Sequence, residues 1–357
     1  MKTYLITGGA GFIGSNFILY MLKKYNDIKI INFDKLTYAG NLENLKEVES
    51  NTNYRFIQGD ICDRDILIKL FEENDIDYVV NFAAESHVDR SIYNPNVFIK
   101  TNVLGTHNLI NVTKEYWELK DKFIEEKKFL QISTDEVYGS LGQNGFFTEK
   151  SMLNPHSPYS ASKASADLIV KSYYDTYKIP INITRCSNNY GPYQFPEKLI
   201  PLTINNCLNK KYIPIYGDGK NIRDWIYVED HCRAIDLVLQ KGKIGEVYNI
   251  GANNEKQNIQ IVKTIIDILN DTLPDNDYRK KYINYKLIKY VNDRKGHDKR
   301  YAIDAGKIEK ELNWRAKVSF KKGIKNTIEW YLKNEIWLKN ITLGEYRNYY
   351  TKIYNQI

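Results

Sequence analysis

Two residues in the middle of the chain have types and spacing suited to proton transfer. Tyr159 and Lys163 lie in the segment PYSASKA at 158–164, directly after a proline that can begin a helix. On a helix, a spacing of four places both side chains on one face. An ammonium group one turn away favours the phenolate and lowers the pKa of the tyrosine, which could then take a proton from an alcohol. The alternative is a solvated lysine beside a partly buried tyrosine.

A group of hydroxyl and carboxyl side chains precedes this pair. The apolar run at 129–132 predicts a buried strand, and Ser133, Thr134, Asp135 and Glu136 follow it. Ligands bind beyond the carboxyl ends of strands in an open parallel sheet, so we expect these side chains to face a site. Adjacent carboxylates in a closed site repel each other, which favours one of them keeping its proton and acting as an acid beside a base. A solvated acidic turn is the alternative.

The N-terminal segment predicts a phosphate-binding turn. A strand-like run at 4–7 leads into GGAGFIG, with Gly8, Gly11 and Gly14, and an apolar-periodic helix pattern follows to Leu22. Glycines let the backbone approach a pyrophosphate, and the helix N-terminus stabilises its charge. A glycine triplet alone is weak evidence, but this one has a strand before it and a helix after it.

The second predicted strand indicates which dinucleotide is bound. It runs from 28 to 33 and ends at Asp34, where a carboxylate can accept hydrogen bonds from a ribose 2′-hydroxyl and repel a 2′-phosphate. This favours NAD over NADP. Lys35 follows directly, and a cation there could tolerate the phosphate.

Composition excludes several classes of protein. The 357 residues include 51 Lys and Arg against 44 Asp and Glu, and a net charge of +7 without a dense basic block argues against nucleic-acid binding. The four cysteines form neither a metal-binding pattern nor a disulfide framework, which predicts no metal site and a cytoplasmic location. No signal peptide or long apolar helix is present in the sequence, so no membrane association is expected.

Alternating strand and helix patterns predict an α/β fold, a Rossmann-type doubly wound parallel sheet with a smaller, loop-rich α/β substrate domain. The expected NAD-binding domain covers 1–186 with a return segment at about 225–250. The substrate domain covers 187–224 and 251–330, where glycine- and proline-punctuated segments become frequent. We expect packing helices at 331–357, with their tryptophans and tyrosines in the core or in a subunit contact.

Several stretches resemble a known family. They are TYAGNL at 37–42, AAESHVDRS at 83–91, STDEVYG at 133–139, RCSNNYGPYQ at 185–194 and the basic segment 293–304. Together with the glycine turn and the Tyr159/Lys163 pair, they are similar to the extended short-chain dehydrogenase/reductase family, and within it to the nucleotide-sugar 4,6-dehydratases. The similarity reaches to about residue 330. The family usually has proline where this chain has Lys295.

The resemblance implies three sets of site residues. The catalytic set is Thr134, Asp135, Glu136, Tyr159 and Lys163. The cofactor NAD is expected to contact Gly8, Gly11, Phe12, Ile13, Gly14, Asp34, Lys35, Thr37, Asp60, Ile61, Phe82, Ala83, Ala84, Ser86, Thr101, Tyr159, Lys163 and Asn188. The nucleotide-sugar substrate is expected to contact Ser86, His87, Thr134, Asn188, Glu197, Lys198, Leu199, Pro214, Tyr216, Arg223, Asn258, Asp293, Arg294 and His297.

The resemblance also implies a reaction and an assembly. The substrate would be dTDP-glucose, which is oxidised at C4, loses water across C5 and C6 and regains hydride at C6, feeding deoxysugar synthesis such as that of dTDP-rhamnose. A homodimer is implied as well. The alternatives are a dehydratase for another nucleotide sugar, a non-catalytic NAD-sensing module and a nucleotide-sugar 4-epimerase. An epimerase needs Tyr159 and Lys163 but has no use for Asp135 and Glu136.

Overall fold

The computed structural model describes residues 1–119, 122–123 and 126–343. Its strands are β1 Lys2–Thr7, β2 Ile28–Asp34, β3 Tyr54–Gln58, β4 Tyr78–Asn81, β5 Glu118–Leu119, β6 Lys122–Phe123, β7 Lys128–Thr134, β8 Ile181–Cys186, β9 Asn188–Tyr190, β10 Ile213–Tyr216, β11 Ile222–Tyr227, β12 Val247–Ile250, β13 Glu255–Gln257 and β14 Ile288–Val291. Its α-helices are α1 Phe12–Lys24, α2 Arg64–Glu73, α3 Val88–Tyr93, α4 Pro95–Phe98, α5 Thr106–Trp117, α6 Pro158–Tyr177, α7 Leu199–Leu208, α8 Val228–Lys241, α9 Asn258–Thr272, α10 Gly306–Leu312, α11 Phe320–Lys333 and α12 Glu335–Ile341. Short 3₁₀ helices cover Leu42–Val48, Asp135–Tyr138, Tyr278–Lys281 and Tyr285–Leu287, and Ile99–Gly105 is a π-helix.

The largest sheet has seven parallel strands in the order β12-β8-β7-β4-β1-β2-β3. The predicted doubly wound parallel sheet is therefore confirmed. Successive strand residues face opposite sides, so Ile6 packs with α1 and α8 while Leu5 packs with α2 and α5. Both faces are covered by helices, which explains why these strands read as nearly continuous apolar runs.

The second half of the chain builds a smaller unit and also returns to the large sheet. Strands β13, β11 and β9 form one small sheet, and β10 pairs with β14 in another. Their apolar side chains pack with those of α7, α9, α11 and α12 in a separate core. Strand β12 adds to the edge of the large sheet beside β8, and Ile308 and Trp314 pack into the core under α1 and α8. The division into residue ranges stays a prediction.

The helical segment that runs from α4 to α5 is interrupted by the π-helix Ile99–Gly105. Asn102 within it accepts a hydrogen bond from the Glu85 amide (2.8 Å) and donates to the Glu85 carbonyl (3.0 Å) and to the Ser162 hydroxyl (2.8 Å). The π-helix thus joins the loop after β4 to α6. It places Thr101 in the cleft described below, in keeping with the frequent occurrence of π-turns at functional sites.

Helix α6 carries Tyr159 and Lys163, and its start is fixed by a capping box. The Ser157 hydroxyl accepts from the Ser160 amide, and the Ser160 hydroxyl accepts from the Ser157 amide, both at 3.0 Å. Pro158 occupies the first turn, where a backbone N–H would have no partner within the helix, so its absence in proline costs no hydrogen bond. The first turn of α6 therefore has a defined position relative to the strand ends.

The end of the described chain packs onto both halves of the molecule. Trp330 and Trp337 stack edge-on against Tyr193, and the Trp337 indole donates to the Asn44 side chain at 2.9 Å. These tryptophans are core residues. Residues 344–357 of the predicted packing helices lie outside the described residues. Among the residues that the structure describes, no helix is both long and apolar enough to cross a membrane.

Replacing Gly323 by alanine should destabilise the protein, although alanine ordinarily stabilises a helix by about 1 kcal/mol relative to glycine. An added Cβ on α11 would lie 2.3 Å from the buried Tyr190 hydroxyl and 2.9 Å from its ring. We expect a loss of about 1–3 kcal/mol in the free energy of unfolding, measured by denaturant titration. Gly142→Ala is the control, because nothing lies within 4 Å of its Cβ position. A Gly323→Ala variant as stable as the parent would contradict this packing.

Candidate active site

A cleft with a cavity of about 300 Å³ lies along the carboxyl ends of the strands in the large sheet. Its lining includes every residue predicted for the cofactor and every residue of the predicted catalytic set. Residues from the ends of β1, β2, β4, β7 and β8 meet there, as the topology of an open parallel sheet requires.

The glycine turn between β1 and α1 is built for close backbone approach. Gly8 has φ of +69°, and a Cβ there would lie 2.6 Å from the Ala83 amide nitrogen. A Cβ on Gly14 would lie 2.5 Å from the Gly8 carbonyl oxygen. No side chain caps α1 and its first turn contains no acidic residue, so the helix N-terminus can stabilise an anion. These features fit a diphosphate.

The ends of β2 and β3 place two carboxylates, Asp34 and Asp60, in the cleft beside this turn. Asp34 is buried and accepts hydrogen bonds from the amides of Ala10 (2.9 Å) and Leu36 (2.8 Å). Burial raises the pKa of Asp34, and these amides oppose the rise. Lys35 lies 2.8 Å from the Asp60 carboxylate. Because Asp60 balances its charge, Lys35 is less suited to receive a phosphate, and the site favours a ribose with free hydroxyls.

Tyr159 and Lys163 are both buried in the cleft wall, and their interactions differ from those expected. The Lys163 ammonium donates to the Ile132 carbonyl at 2.7 Å. Burial raises the pKa of Tyr159 well above its ordinary value, the Glu136 carboxylate adds to the rise, and a hydrogen bond with Thr134 opposes it. The pKa of Tyr159 in the protein alone is therefore raised overall rather than lowered, because desolvation dominates.

Burial also acts on the carboxyl pair, which lies on the 3₁₀ turn after β7. The Thr134 hydroxyl accepts from the Glu136 amide at 3.3 Å and so fixes the start of this turn. Burial raises the pKa of both carboxyl groups, and for Asp135 the Glu136 charge raises it further, to well above the usual value. Arg294 and Arg223 oppose the rise at Glu136. The pKa of Asp135 is thus raised more strongly than that of Glu136, so the proton is held more firmly on Asp135.

The predicted substrate residues divide into two groups. Ser86, Thr134, Asn188, Glu197 and Lys198 line the cleft. The structure does not bring the others into its lining; they are His87, Leu199, Pro214, Tyr216, Arg223, Asn258, Asp293, Arg294 and His297.

Several residues of the second group form a cluster beside the cleft. Asp89 joins two of them, since it lies 3.6 Å from the Arg294 guanidinium and accepts from the Tyr216 hydroxyl at 3.2 Å. His297 bonds to Asp293 at 2.6 Å, and burial lowers the pKa of His297 to about 4. The imidazole is therefore neutral at pH 7.

Arg223 and His87 each have defined partners. The Arg223 guanidinium lies 4.1 Å from the centre of the Tyr301 ring and donates to the Asp298 carbonyl at 2.8 Å. His87 caps α3 by accepting from the Arg90 amide at 3.4 Å. Burial lowers the pKa of His87 well below its ordinary value, and the charges of Lys198 and Arg90 lower it further, so this histidine stays neutral.

The cleft also contains residues absent from the predicted sets. They are Phe33, Ala39, Gly40, Gly59, Glu85, Ile132, Ser133, Cys186, Ser187, Asn189, Gln194 and Phe195. Strand pairing explains Cys186, which lies opposite Thr134 in the β7–β8 register. Apolar residues alternate at 179, 181 and 183 shortly before Cys186, so a strand signal for this position was available in the sequence. Phe195 and Ala39 come from irregular loops, whose course no periodicity reveals.

Comparison with known proteins agrees with this geometry. The family model described as GDP-mannose 4,6 dehydratase matches residues 5–327. A dTDP-glucose 4,6-dehydratase of Xanthomonas campestris is 50% identical over 97% of this chain and 98% of its own length. The chain belongs to the nucleotide-sugar 4,6-dehydratases. Within the extended short-chain dehydrogenase/reductase family, these dehydratases are the branch that the sequence motifs indicated.

Solved structures of dehydratases in this family share the fold. That of dTDP-glucose 4,6-dehydratase from Bacillus anthracis in complex with NAD is 50% identical, with a TM-score of 0.84 over 96% of this chain and 100% of that one. The enzyme from Streptomyces venezuelae with NAD and dTDP bound is 44% identical, with a TM-score of 0.86 over 95% and 99% of the two chains.

The buried acid should cost stability, so Asp135→Asn should raise the free energy of unfolding at pH 8. The pKa of Asp135 is higher in the folded than in the unfolded chain, so its contribution to stability falls as pH rises from the unfolded value. We expect a gain on the order of 1 kcal/mol that shrinks as the pH falls towards about 3, where the carboxyl is mostly protonated in both states. Denaturant titrations across this range measure it.

Asp175→Asn, an exposed carboxylate on α6, is the matched control and should change stability by less than about 0.5 kcal/mol. An Asp135→Asn variant less stable than the parent at pH 8 would show that the carboxylate is well compensated in the fold.

Proposed function

We propose that this protein is an NAD-dependent hydro-lyase that converts dTDP-glucose to dTDP-4-keto-6-deoxyglucose and water. The observation that carries the proposal is the adjacent pair of buried Asp135 and half-buried Glu136 in the same cleft as Tyr159. A 4-epimerase returns hydride to the carbon it came from and needs no acid and base for C5 and C6. The relatives at about 50% identity carry the same activity in their names.

NAD fits the cleft by its diphosphate, its ribose and its charge. The glycine turn suits the diphosphate, and Asp34 has lone pairs left for ribose hydroxyls after accepting two amides. When bound, NAD supplies the hydride acceptor for C4 and afterwards the hydride donor for C6. All of these groups belong to this chain, and we propose each of them as a contact of NAD.

The first step removes hydrogen from C4 of the sugar. We assign Tyr159 as the base that takes the C4 hydroxyl proton while the hydride leaves C4. The Thr134 hydroxyl can donate to the C4 oxygen as it becomes a carbonyl. Because burial disfavours the phenolate, the step needs nearby positive charge, and the Lys163 ammonium is the cation in this wall of the cleft.

The second step eliminates water. The C4 ketone acidifies the C5 proton, which Glu136 removes, while Asp135 gives its proton to the departing C6 hydroxyl. The separation of their pKa values provides an acid and a base side by side. Hydride then returns to C6 and a proton to C5, so the cycle consumes no net redox equivalent.

The nucleotide diphosphate would lie beyond the carboxyl pair. Arg223 is buried and Arg294 is half-buried, and the charges of both reach Glu136. A planar guanidinium can pair with two phosphate oxygens. We propose that they bind the diphosphate. The preference for thymine rests on the named relatives. The product would enter deoxysugar synthesis, such as that of dTDP-rhamnose.

We further propose a homodimer formed through the helices that flank the cleft. Large apolar side chains are exposed on this surface, including Tyr93, Ile99, Leu104 and Leu168. Exposed apolar patches commonly mark contact surfaces. All four cysteines are free, which supports a working place in the reducing cytoplasm.

The activity can be tested by incubating the purified protein with catalytic NAD and either dTDP-glucose or UDP-glucose. Mass spectrometry should show loss of one water from dTDP-glucose, with no net accumulation of NADH. A 4-epimer of unchanged mass would refute the dehydratase proposal. Equal turnover of UDP-glucose would refute the preference for thymine.

Two variants should separate oxidation from elimination. Glu136→Gln should still allow hydride transfer from C4, because Tyr159 is intact, but should slow loss of water by about 10²–10⁴-fold, the usual contribution of a general base. Tyr159→Phe should abolish both steps. Absorbance of reduced cofactor at 340 nm in single-turnover reactions reports the first step, and mass spectrometry reports the second. A fully active Glu136→Gln enzyme would remove that residue from the mechanism.

A further inference from the structure

Contacts between charged and aromatic side chains join the two lips of the cleft. One lip is the loop after β2, where Thr37, Ala39 and Gly40 line the cavity. The other lip is the loop before α7, where Phe195, Glu197 and Lys198 line it. The two loops are far apart in sequence, and side-chain contacts join them.

Glu197 is the centre of these contacts. One of its carboxylate oxygens accepts from the Tyr38 hydroxyl at 2.9 Å, and the other accepts from the Arg90 guanidinium at 3.3 Å. The Arg90 guanidinium lies 3.6 Å from the centre of the Tyr38 ring, within the range of a cation–π interaction. The Glu197 side chain is only 2% exposed, which strengthens these charge-assisted bonds.

Further contacts hold the same two loops. The Tyr38 ring meets Phe195 edge to face, with 5.6 Å between ring centres. The Lys198 ammonium donates to the Ser86 carbonyl at 2.8 Å. The first lip is also tied to the glycine turn, since the Asn41 amide donates to the Ala10 carbonyl at 3.0 Å. Widening the cleft at this point would break several of these contacts together.

We infer that Tyr38, Arg90 and Glu197 form a clasp that retains the cofactor between turnovers. The inference rests on the proposed function, because a cycle that reduces and then reoxidises its cofactor has no need to release it. Tyr38 and Arg90 are positioning residues, since both hydrogen-bond to Glu197 and would act through it. Opening the clasp would uncover the side of the cleft through which a dinucleotide could leave.

The rate of cofactor release tests this inference. The protein is loaded with radiolabelled NAD and diluted into a large excess of unlabelled NAD, and bound label is followed by filtration. Tyr38→Phe removes one hydrogen bond to a buried carboxylate, so release should accelerate by roughly ten-fold or more. The turnover number at saturating NAD and dTDP-glucose should stay within about two-fold, because Tyr38 lies outside the proposed catalytic and binding sets.

Tyr285→Phe is the matched control. The Tyr285 hydroxyl also donates to a carboxylate, that of Asp267 at 2.7 Å, but on the surface and away from the cleft. The rate of NAD release from the Tyr285→Phe variant should equal that from the parent. Arg90→Gln breaks the clasp from the other side and should also accelerate release, so a folding defect in one variant leaves the other informative. Circular dichroism and thermal unfolding identify such a defect.

The outcomes distinguish this inference from the function on which it rests. If the parent binds labelled NAD and both variants release it at the parent's rate, the clasp does not control retention and the inference is wrong. If the parent does not bind NAD at all, the proposed function itself is wrong. Faster release from the variants, with an unchanged turnover number, is the expected result.

Discussion

The cost of burying two adjacent carboxyl groups is the constraint on which the rest of this structure depends. Asp135 is buried and Glu136 is half-buried, so desolvation disfavours the ionised form of both unless neighbouring charges compensate. Arg223 and Arg294 provide that compensation for Glu136 more than for Asp135. The pKa of Asp135 is thereby raised more strongly than that of Glu136, although the two side chains differ by a single methylene.

The architecture of the second half of the chain places the positive charges that compensate these carboxyl groups. Arg223 stands on β11, which pairs with β9 directly after the end of β8, so the small sheet is anchored at the same edge as the carboxyl pair. Arg294 follows β14, which is paired with β10. The small sheets thus hold cations above strand ends of the large sheet, and the apolar core around α7, α9 and α11 keeps them there.

Sequence patterns were most informative where chemistry depends on regular structure. The parallel sheet, the glycine turn and the positions of Tyr159 and Asp135 followed from strand and helix periodicity, and the cofactor residues all line one cleft. Two kinds of feature could not be predicted. The pKa of Tyr159 depends on how completely it is buried, which is a tertiary property. The partners of Glu197 come from two distant segments, and no local pattern encodes such a contact.

The return of the chain to the large sheet has a consequence for synthesis on the ribosome. Strand β8 lies between β7 and β12, and β12 is separated from it by β9, α7, β10, β11 and α8. During translation at about 5–20 residues per second, β8 would remain an unpaired edge for roughly 3–12 seconds before β12 emerges. An apolar strand with free backbone groups is prone to associate with other chains. The nascent protein therefore passes through an interval in which chaperone binding would protect it most.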